Sequence, residues 1–420
     1  MRRRLLLVLI LLTSSLMANQ EPKNNVFPYL LTDTPQTAED VRLRTDYDDG
    51  FYLEAGRDTL RVGAYAQPGF RTSGDAQLNN SEFYIRRARL IMRGVLHGDW
   101  GYYFEAGFEG SSAKLKKWYG EYIKYALLRG RLGQFVVPFS REAVISNRWT
   151  YVIESSLGTS NLAPFEDIGA MLFGTLYGKK IEYAVGLFNG TGQNVVDNNN
   201  GKMVGTRITF SPWSDDVSSA VRGLTVGGSL TRGSVSGSLS TITYVTAAQT
   251  TFTSFTSAAT QNSYLTRYDI EAQYLNNSFK IAGEYFLAWR QGVTIGAGNA
   301  DVTNRAWYLA ANYLLTGEKQ VADTGIVPLK PFDEPGGTGA WELAARAEAF
   351  TTNSSAFSNG FCTGTPGIAA YTIGTAWWPN RHIRAMGNMI YNKFSGPLVS
   401  SAGTAYHHET AVILQVLIDF

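Results

Sequence analysis

The sequence predicts an all-β protein, a 16-stranded antiparallel transmembrane β-barrel. Three observations support this fold class: sixteen segments with alternating apolar and polar residues, no run of 18 or more apolar residues after residue 18, and a last segment with one wholly apolar face. Membrane barrels alternate because one face of each strand meets lipid and the other meets the lumen. The same alternation keeps the mean hydropathy at −0.12, since lumen residues offset lipid-facing ones. Without a long apolar run, helical membrane spans are excluded.

The N-terminus predicts a secretory signal peptide over residues 1–18. Arg2, Arg3 and Arg4 form a positive region, residues 5–12 are apolar, and Leu16-Met17-Ala18 is a small-residue cleavage pattern. The apolar run is too short to span a bilayer as a helix. Residues 19–58 are polar and contain three prolines, so we expect a periplasmic arm with a short strand near 50–54. Residues 59–420 form the predicted barrel domain.

The barrel strands are predicted from their alternation, and most are about ten residues long, enough for a tilted crossing. They lie at 59–70, 83–96, 100–109, 117–128, 130–138, 169–177, 181–189, 202–211, 224–232, 264–275, 279–290, 305–315, 339–350, 368–378, 383–392 and 408–420. The number is even, as in bacterial barrels. In several strands charged residues occur on one face only, which is typical of a strand lining water.

The final strand, 408–420, shows the pattern most clearly. Its apolar face carries Val412, Leu414, Val416, Ile418 and Phe420. Aromatic residues make up 13% of the chain, with 23 Tyr and 9 Trp, which fits aromatic girdles at the two membrane interfaces. Outer-membrane barrels of Gram-negative bacteria commonly begin with a signal peptide and end with a phenylalanine. We therefore expect this protein to lie in the outer membrane of such a bacterium.

The connections between strands alternate between short and long. Short turns are predicted at 97–99, 128–130, 178–180, 276–278 and 379–381, and long polar links at 71–82, 139–168, 189–201, 233–263, 291–304, 351–367 and 393–407. Short turns face the periplasm and long loops face outward in such barrels. Residues 316–338 break the rule, because this long, proline-containing link falls on the short-turn side. Either that turn is extended or the strand count slips there.

Several motifs resemble the phosphate-selective porin family of the porin O and P type. They are the stretches at 49–54 and 60–65, the arginine-rich 83–90, the stretches 131–135 and 138–142, then 314–318, 339–343 and the Phe420 terminus. The resemblance spans residues 46–420. It implies an outer-membrane porin, a homotrimer of 16-stranded barrels whose third loop folds inward and narrows the pore. Some members of the family use lumen arginines and lysines to strip and pass phosphate or other anions.

The candidate pore-lining residues begin with Arg87, Arg89 and Arg93, which share one face because their spacing is even. Rings of Arg or Lys favour anions in a pore, through charge and forked donors. The alternative is that they pair with Glu105 and Glu109 on the neighbouring strand and stiffen the wall. Both interpretations stand at this point.

Further candidates lie elsewhere in the wall and in the third loop. Arg131 and Arg207 are expected to face the lumen, and the resemblance places Arg141 and Arg148 at the constriction, unless they only anchor the loop by salt bridges. Wall cations, which also include Arg267, Lys280 and Arg346, are offset by acids at 182, 269, 271, 284, 342 and 348. Lysines 114, 116 and 117 are placed in the second loop, where they recruit anions, bind lipopolysaccharide phosphates or merely solvate the loop.

One departure from the family pattern concerns the fifth loop. Residues 233–263 contain no Lys or Arg, whereas phosphate-conducting members take part of their arginine ladder from this loop. A weakly selective diffusion pore is therefore an alternative, and a closed structural or adhesin barrel is a third. Once residues 2–4 leave with the signal peptide, 34 Lys and Arg face 35 Asp and Glu, so composition indicates no charged partner such as nucleic acid.

No enzyme is expected, because the four histidines lie in turns or at the start of the last strand, with no mid-strand serine on the same face. Zinc spacings, P-loops and nucleophile elbows are absent from the sequence, so no cofactor or metal is predicted. A single cysteine, Cys362, cannot form an internal disulfide.

Overall fold

The computed structural model describes residues 42–45, 50–74, 80–322, 324–400 and 403–420. The predicted signal peptide and most of the predicted arm lie outside these described residues. The described chain contains 21 β-strands, numbered here in chain order, and three short helices.

Sixteen strands form one closed antiparallel barrel. They are β3 Asp58–Ser73, β4 Glu82–Leu96, β5 Trp100–Gly107, β6 Lys114–Tyr122, β7 Arg129–Val136, β8 Glu166–Leu176, β9 Ile181–Phe188, β10 Met203–Phe210, β11 Leu224–Ser238, β14 Thr260–Asn276, β15 Phe279–Ile295, β16 Gly298–Leu314, β17 Ala340–Thr352, β19 Gly367–Asn380, β20 Ile383–Val399 and β21 Ala405–Asp419. Each pairs with the next in this order, and β21 pairs with β3 to close the sheet. Closure removes the exposed edges of the sheet. The sixteen predicted strands are confirmed.

The two faces of the barrel differ as the alternation predicts. In β17, Trp341 and Leu343 are exposed, whereas Glu342, Arg346 and Glu348 on the opposite face are buried. A lipid-facing exterior and a polar interior account for this pattern.

None of the helices within the described residues is both long enough and apolar enough to cross a membrane.

The remaining elements are short. Strands β1 Arg42–Thr45 and β2 Phe51–Ala55 form a hairpin that continues into β3, so the short strand expected near 50–54 is confirmed. A separate three-stranded sheet joins β12 Thr243–Val245, β13 Thr251–Phe255 and β18 Cys362–Gly364. The helices are α1 Arg141–Val144, α2 Leu157–Leu162 and α3 Ser355–Ser358.

One connection between strands differs from its prediction, and a second decides between two alternatives that the sequence left open. The long link predicted at 291–304 is wrong, because β15 and β16 extend through it and leave a two-residue turn at 296–297, where Gly296 adopts φ +55°. A positive φ suits glycine in a tight hairpin turn. The 315–339 connection is an extended turn, so the strand count does not slip. Its Ile326 is buried against Leu314 and Trp378.

A buried apolar cluster joins two long loops to the strands. Loop 137–165, between β7 and β8, contributes Phe139 and Tyr151, and loop 239–259, between β11 and β14, contributes Tyr244. They pack with Phe286 of β15 and Phe350 of β17, which lie on the same strand faces as the buried charges. Both loops are therefore held by apolar burial as well as by polar contacts.

Candidate functional site

The predicted arginines of β4 occupy one face of the strand, as their spacing requires. Arg87 Nη1 donates to Gln67 Oε1 at 2.9 Å. Arg89 Nη2 lies 3.0 Å from Glu109 Oε1, and its Nε lies 3.8 Å from Glu105 Oε1. The structure thus shows the wall pairing that the alternative interpretation expected for Arg89.

A fourth arginine, Arg86, joins this face although simple alternation assigns it to the lipid side. The register shifts so that Gln67 opposes Arg87 and Pro68 opposes Ile85, which makes Arg86 the extra residue of a β-bulge. Its guanidinium donates to both carboxylate oxygens of Glu154, at 2.7 and 3.0 Å. Proline within a strand is confined to edges or bulges, so Pro68 was the available sequence signal.

The lysines predicted in the second loop are corrected by the structure. Residues 114, 116 and 117 lie within β6, which begins earlier than expected. A second bulge lets neighbouring lysines reach the same acids, with Lys116 Nζ 3.3 Å from Glu109 Oε1 and Lys117 Nζ 3.3 Å from Glu105 Oε2. Lys114 is exposed.

These residues form a mixed group of charges, named here the β4 cluster. Its members are Arg86, Arg87, Arg89, Lys116 and Lys117 with Glu105, Glu109 and Glu154. Five cations face three carboxylates, so the cluster keeps an excess of positive charge. Arg93 is exposed on the same face, toward the short-turn end of β4.

Two other predicted lining residues are paired within the wall. Arg131 donates twice to Glu121 Oε2, at 2.9 and 2.7 Å, and its guanidinium carbon lies 4.1 Å from the centre of the Tyr119 ring. Arg207 donates to both oxygens of Glu271, at 2.9 and 2.5 Å. Each guanidinium is held by a carboxylate, which favours a structural role in the wall.

Loop 137–165 is bound to the charged faces of distant strands by its backbone. The N–H groups of Arg141 and Glu142 each donate to Glu284 of β15 at 2.9 Å. Farther along, Ile153 N donates to Asn388 Oδ1 of β20 at 2.7 Å. Leu157 N donates to Glu348 Oε2 of β17 at 2.6 Å. These bonds give buried backbone donors the partners they need.

The two arginines predicted for the constriction are both engaged. Arg141 Nη1 donates to the Tyr151 hydroxyl at 2.9 Å. Arg148 Nη1 donates to both carboxylate oxygens of Asp419, at 2.8 and 2.9 Å. Its guanidinium carbon also lies 5.2 Å from the centre of the Tyr65 ring. Arg148 therefore makes the salt bridge to the wall that the sequence left open, whereas the bond from Arg141 to Tyr151 stays within the loop.

Glu154 connects this loop to the β4 cluster. Burial opposes ionisation of its carboxyl, but the Arg86 charge and hydrogen bonds outweigh burial and lower the pKa of Glu154 from its ordinary value of 4.5. The carboxylate is 6% exposed. It is therefore a fixed negative charge at neutral pH.

Loop 239–259 contains no basic residue, and two of its hydroxyl groups bond to an acid. The hydroxyls of Thr246 and Thr250 donate to Glu409 of β21. Beneath this loop, Arg267 and Arg290 form no salt bridge with the acids of the described residues. Arg267 was expected to be offset by wall acids, but its contacts are Thr231 Oγ1 at 3.4 Å and a methionine sulfur.

The phosphate-selective porin O and P family model matches residues 59–402 of the chain. The chain belongs to this family. It is an outer-membrane porin of the Gram-negative type, a channel that passes small hydrophilic solutes and ions. Comparison with curated protein sequences gives no match.

Solved structures of similar fold support the architecture. An anion-selective porin from Comamonas acidovorans is 13% identical, with a TM-score of 0.55 over 86% of this chain and 100% of that one. The channel DcaP of Acinetobacter baumannii is 11% identical, with a TM-score of 0.56 over 89% and 100%. A trimer form of OmpT from Vibrio cholerae is 9% identical, with a TM-score of 0.53 over 86% and 99%.

Proposed function

We propose that this porin prefers small anions, and that loop 137–165 folds into the barrel as the constriction. The observation that supports this most strongly is the β4 cluster, where five cations face three carboxylates. An excess of one sign of charge along a narrow aqueous path raises the local concentration of the opposite ion. The path then runs between the β4–β6 wall and the loop.

The contacts of the loop support its inward position. Its partners Glu284, Glu348 and Asn388 come from β15, β17 and β20, and all three are buried on the faces opposite the exposed apolar ones. Tyr151 also packs in the buried cluster with Phe286. A loop that meets the charged faces of three strands across the barrel occupies the interior. The β4 cluster borders the remaining opening through Glu154.

The preference is for anions in general, with little phosphate block. Phosphate recognition needs several convergent donors without competing acids, but Arg131 and Arg207 are each held by a carboxylate. Loop 239–259 contains no basic residue, so it supplies no charged donors for phosphate. A weakly selective diffusion pore is the second candidate, because the charges of Arg131 and Arg207 are balanced by carboxylates in the barrel wall.

We further propose that the protein transports solutes and has no enzymatic activity. Residues 1–18 are removed, and residues 19–58 form a periplasmic arm.

We also propose a homotrimer. The trimer form of the Vibrio cholerae neighbour supports this assembly. Crosslinking in mild detergent tests it, and recovery of monomer alone counts against it. Lys114, the exposed lysine of its group, is the one available to lipopolysaccharide phosphates.

The ion preference is tested by the zero-current potential of the wild-type channel in a planar bilayer with a potassium chloride gradient. We expect a potential of the sign set by chloride. Added phosphate is expected to leave most of the chloride current. A cation-set potential contradicts the anion preference, and strong block by phosphate contradicts the narrower claim. A silent membrane containing folded protein supports the closed barrel instead.

A further inference from the structure

Three buried carboxylates meet beside the start of loop 137–165, outside the β4 cluster. Asp269 and Glu271 extend from β14, and Glu284 extends from the paired position on β15. One oxygen from each lies within 4.8 Å of the others. All three residues are at most 3% exposed. Carboxylates this close repel one another unless a cation or a shared proton lies among them.

The hydrogen bonds of Glu284 favour its ionised form. It accepts from the backbone N–H groups of Arg141 and Glu142 and from the Tyr308 hydroxyl, at 2.9, 2.9 and 2.6 Å. Three donors directed at one carboxylate stabilise the negative charge. These three hydrogen bonds hold the Glu284 carboxylate oxygens in place beside Asp269 and Glu271.

Arg207 neutralises only one member of the group. It donates to both oxygens of Glu271, so its charge is committed there. Asp269 Oδ2 accepts from the Ser229 hydroxyl at 3.1 Å. Asp269 Oδ1 is buried and receives no hydrogen bond from any described residue. Asp269 therefore brings one unbonded carboxylate oxygen to a group of three buried carboxylates.

We propose that a divalent cation of the calcium type binds between Asp269, Glu271 and Glu284. Calcium takes oxygen ligands and tolerates irregular carboxylate arrangements. Because Glu284 also holds the backbone of Arg141 and Glu142, the cation ties the start of loop 137–165 to the wall. Binding rests on the cluster alone, and only this effect on the loop rests on the proposed function.

The test uses terbium as a luminescent calcium probe on folded protein in detergent, after treatment with a chelator. The Tyr308 hydroxyl bonds Glu284, so excitation of tyrosine is expected to sensitise saturable terbium emission that calcium displaces. Asp269→Asn is expected to abolish most of this emission. Glu182→Gln, which changes an exposed acid of β9 outside the group, is expected to retain it.

The wild-type titration is decisive without any variant. No sensitised emission, or emission that survives in folded D269N, overturns the proposal. A proton held between Asp269 and Glu284 also overturns it. That outcome appears as an infrared carbonyl stretch of a protonated carboxylic acid, present in wild type with calcium and lost in D269N. The zero-current potential is measured separately, so failure of cation binding and failure of anion preference are distinguished.

Discussion

Arg148 and Asp419 are 271 residues apart in sequence, yet Arg148 Nη1 donates to both carboxylate oxygens of Asp419, at 2.8 and 2.9 Å. Asp419 ends the strand that closes the barrel. The pair thus joins the proposed constriction to the seam between the last strand and β3. Both side chains are partly exposed, so their charges act on the water-filled side as well as on each other.

Replacing Asp419 with Asn removes one negative charge from this region and releases Arg148. We expect the zero-current potential to shift toward chloride, because Arg148 is then an unpaired cation beside the path. Asp419→Glu keeps the charge and is the matched control. An unchanged potential in D419N would show that the pair lies off the ion path.

The terminal residue is expected to serve assembly rather than pore chemistry. The N–H of Phe420 donates to the Ala64 carbonyl at 2.9 Å, and the Ala64 N–H donates to the Phe420 carbonyl at 2.6 Å. Deletion of Phe420 removes these closing bonds, whereas Phe420→Ala keeps them and loses only an exposed ring. Both changes should lower the fraction of heat-modifiable barrel at the surface, the deletion more than the alanine. Normal surface levels of the deletion variant refute this.

The bond from Ile153 to Asn388 offers a test of how loop 137–165 is held. Asn388→Ala leaves the buried Ile153 N–H without its acceptor, at a cost of about 1–3 kcal/mol. We expect faster proteolysis within the loop and a wider spread of single-channel conductance.

The matched control for that change is Asn392→Ala. Asn392 lies on the same face of β20 but donates to Glu409, which binds loop 239–259 instead. Its truncation should leave proteolysis of loop 137–165 unchanged. Equal sensitivity in both variants would mean that the strand as a whole has been loosened.

Acid should weaken the attachment of the same loop to β4. Because the pKa of Glu154 is lowered in the folded protein, its ion pair with Arg86 stabilises the loop above the ordinary pKa of 4.5. That contribution is lost as pH falls through the depressed value, below 4.5. Loop proteolysis by an acid protease should therefore rise over that range in wild type. In Glu154→Gln the rate should stay flat, and an equally steep rise there would contradict the assignment.

The sequence predicted the barrel well because membrane strands alternate with a period of two, and that period is local. It failed where one residue interrupts the period. Arg86 and Lys116 are bulge positions, and a bulge moves a side chain to the face that alternation denies it. The hairpin at 296–297 was missed because β15 and β16 continue through a polar, glycine-containing stretch that does not alternate.

The partners of the candidate site were beyond sequence reasoning for a different reason. The bonds from Arg148 to Asp419 and from Leu157 to Glu348 join residues more than 190 positions apart. Which wall residue meets which loop atom depends on the path of the loop across the barrel. Alternation gives the face of a residue but not its partner.

The most direct test of the account compares zero-current potentials in a salt gradient for three channels. They are wild type, the variant Arg87→Gln, Arg89→Gln, Arg93→Gln, and the control Lys124→Gln, Lys179→Gln, Lys180→Gln, whose lysines lie at the short-turn end. Bulk salt screens charges at such turns over about 8–10 Å, whereas charges along a narrow path act on every passing ion. The arginine variant leaves Glu105 and Glu109 with fewer cations and should shift toward potassium selectivity. The lysine variant should stay near wild type, and an unchanged potential in the arginine variant would contradict the claim that these arginines set the ion preference.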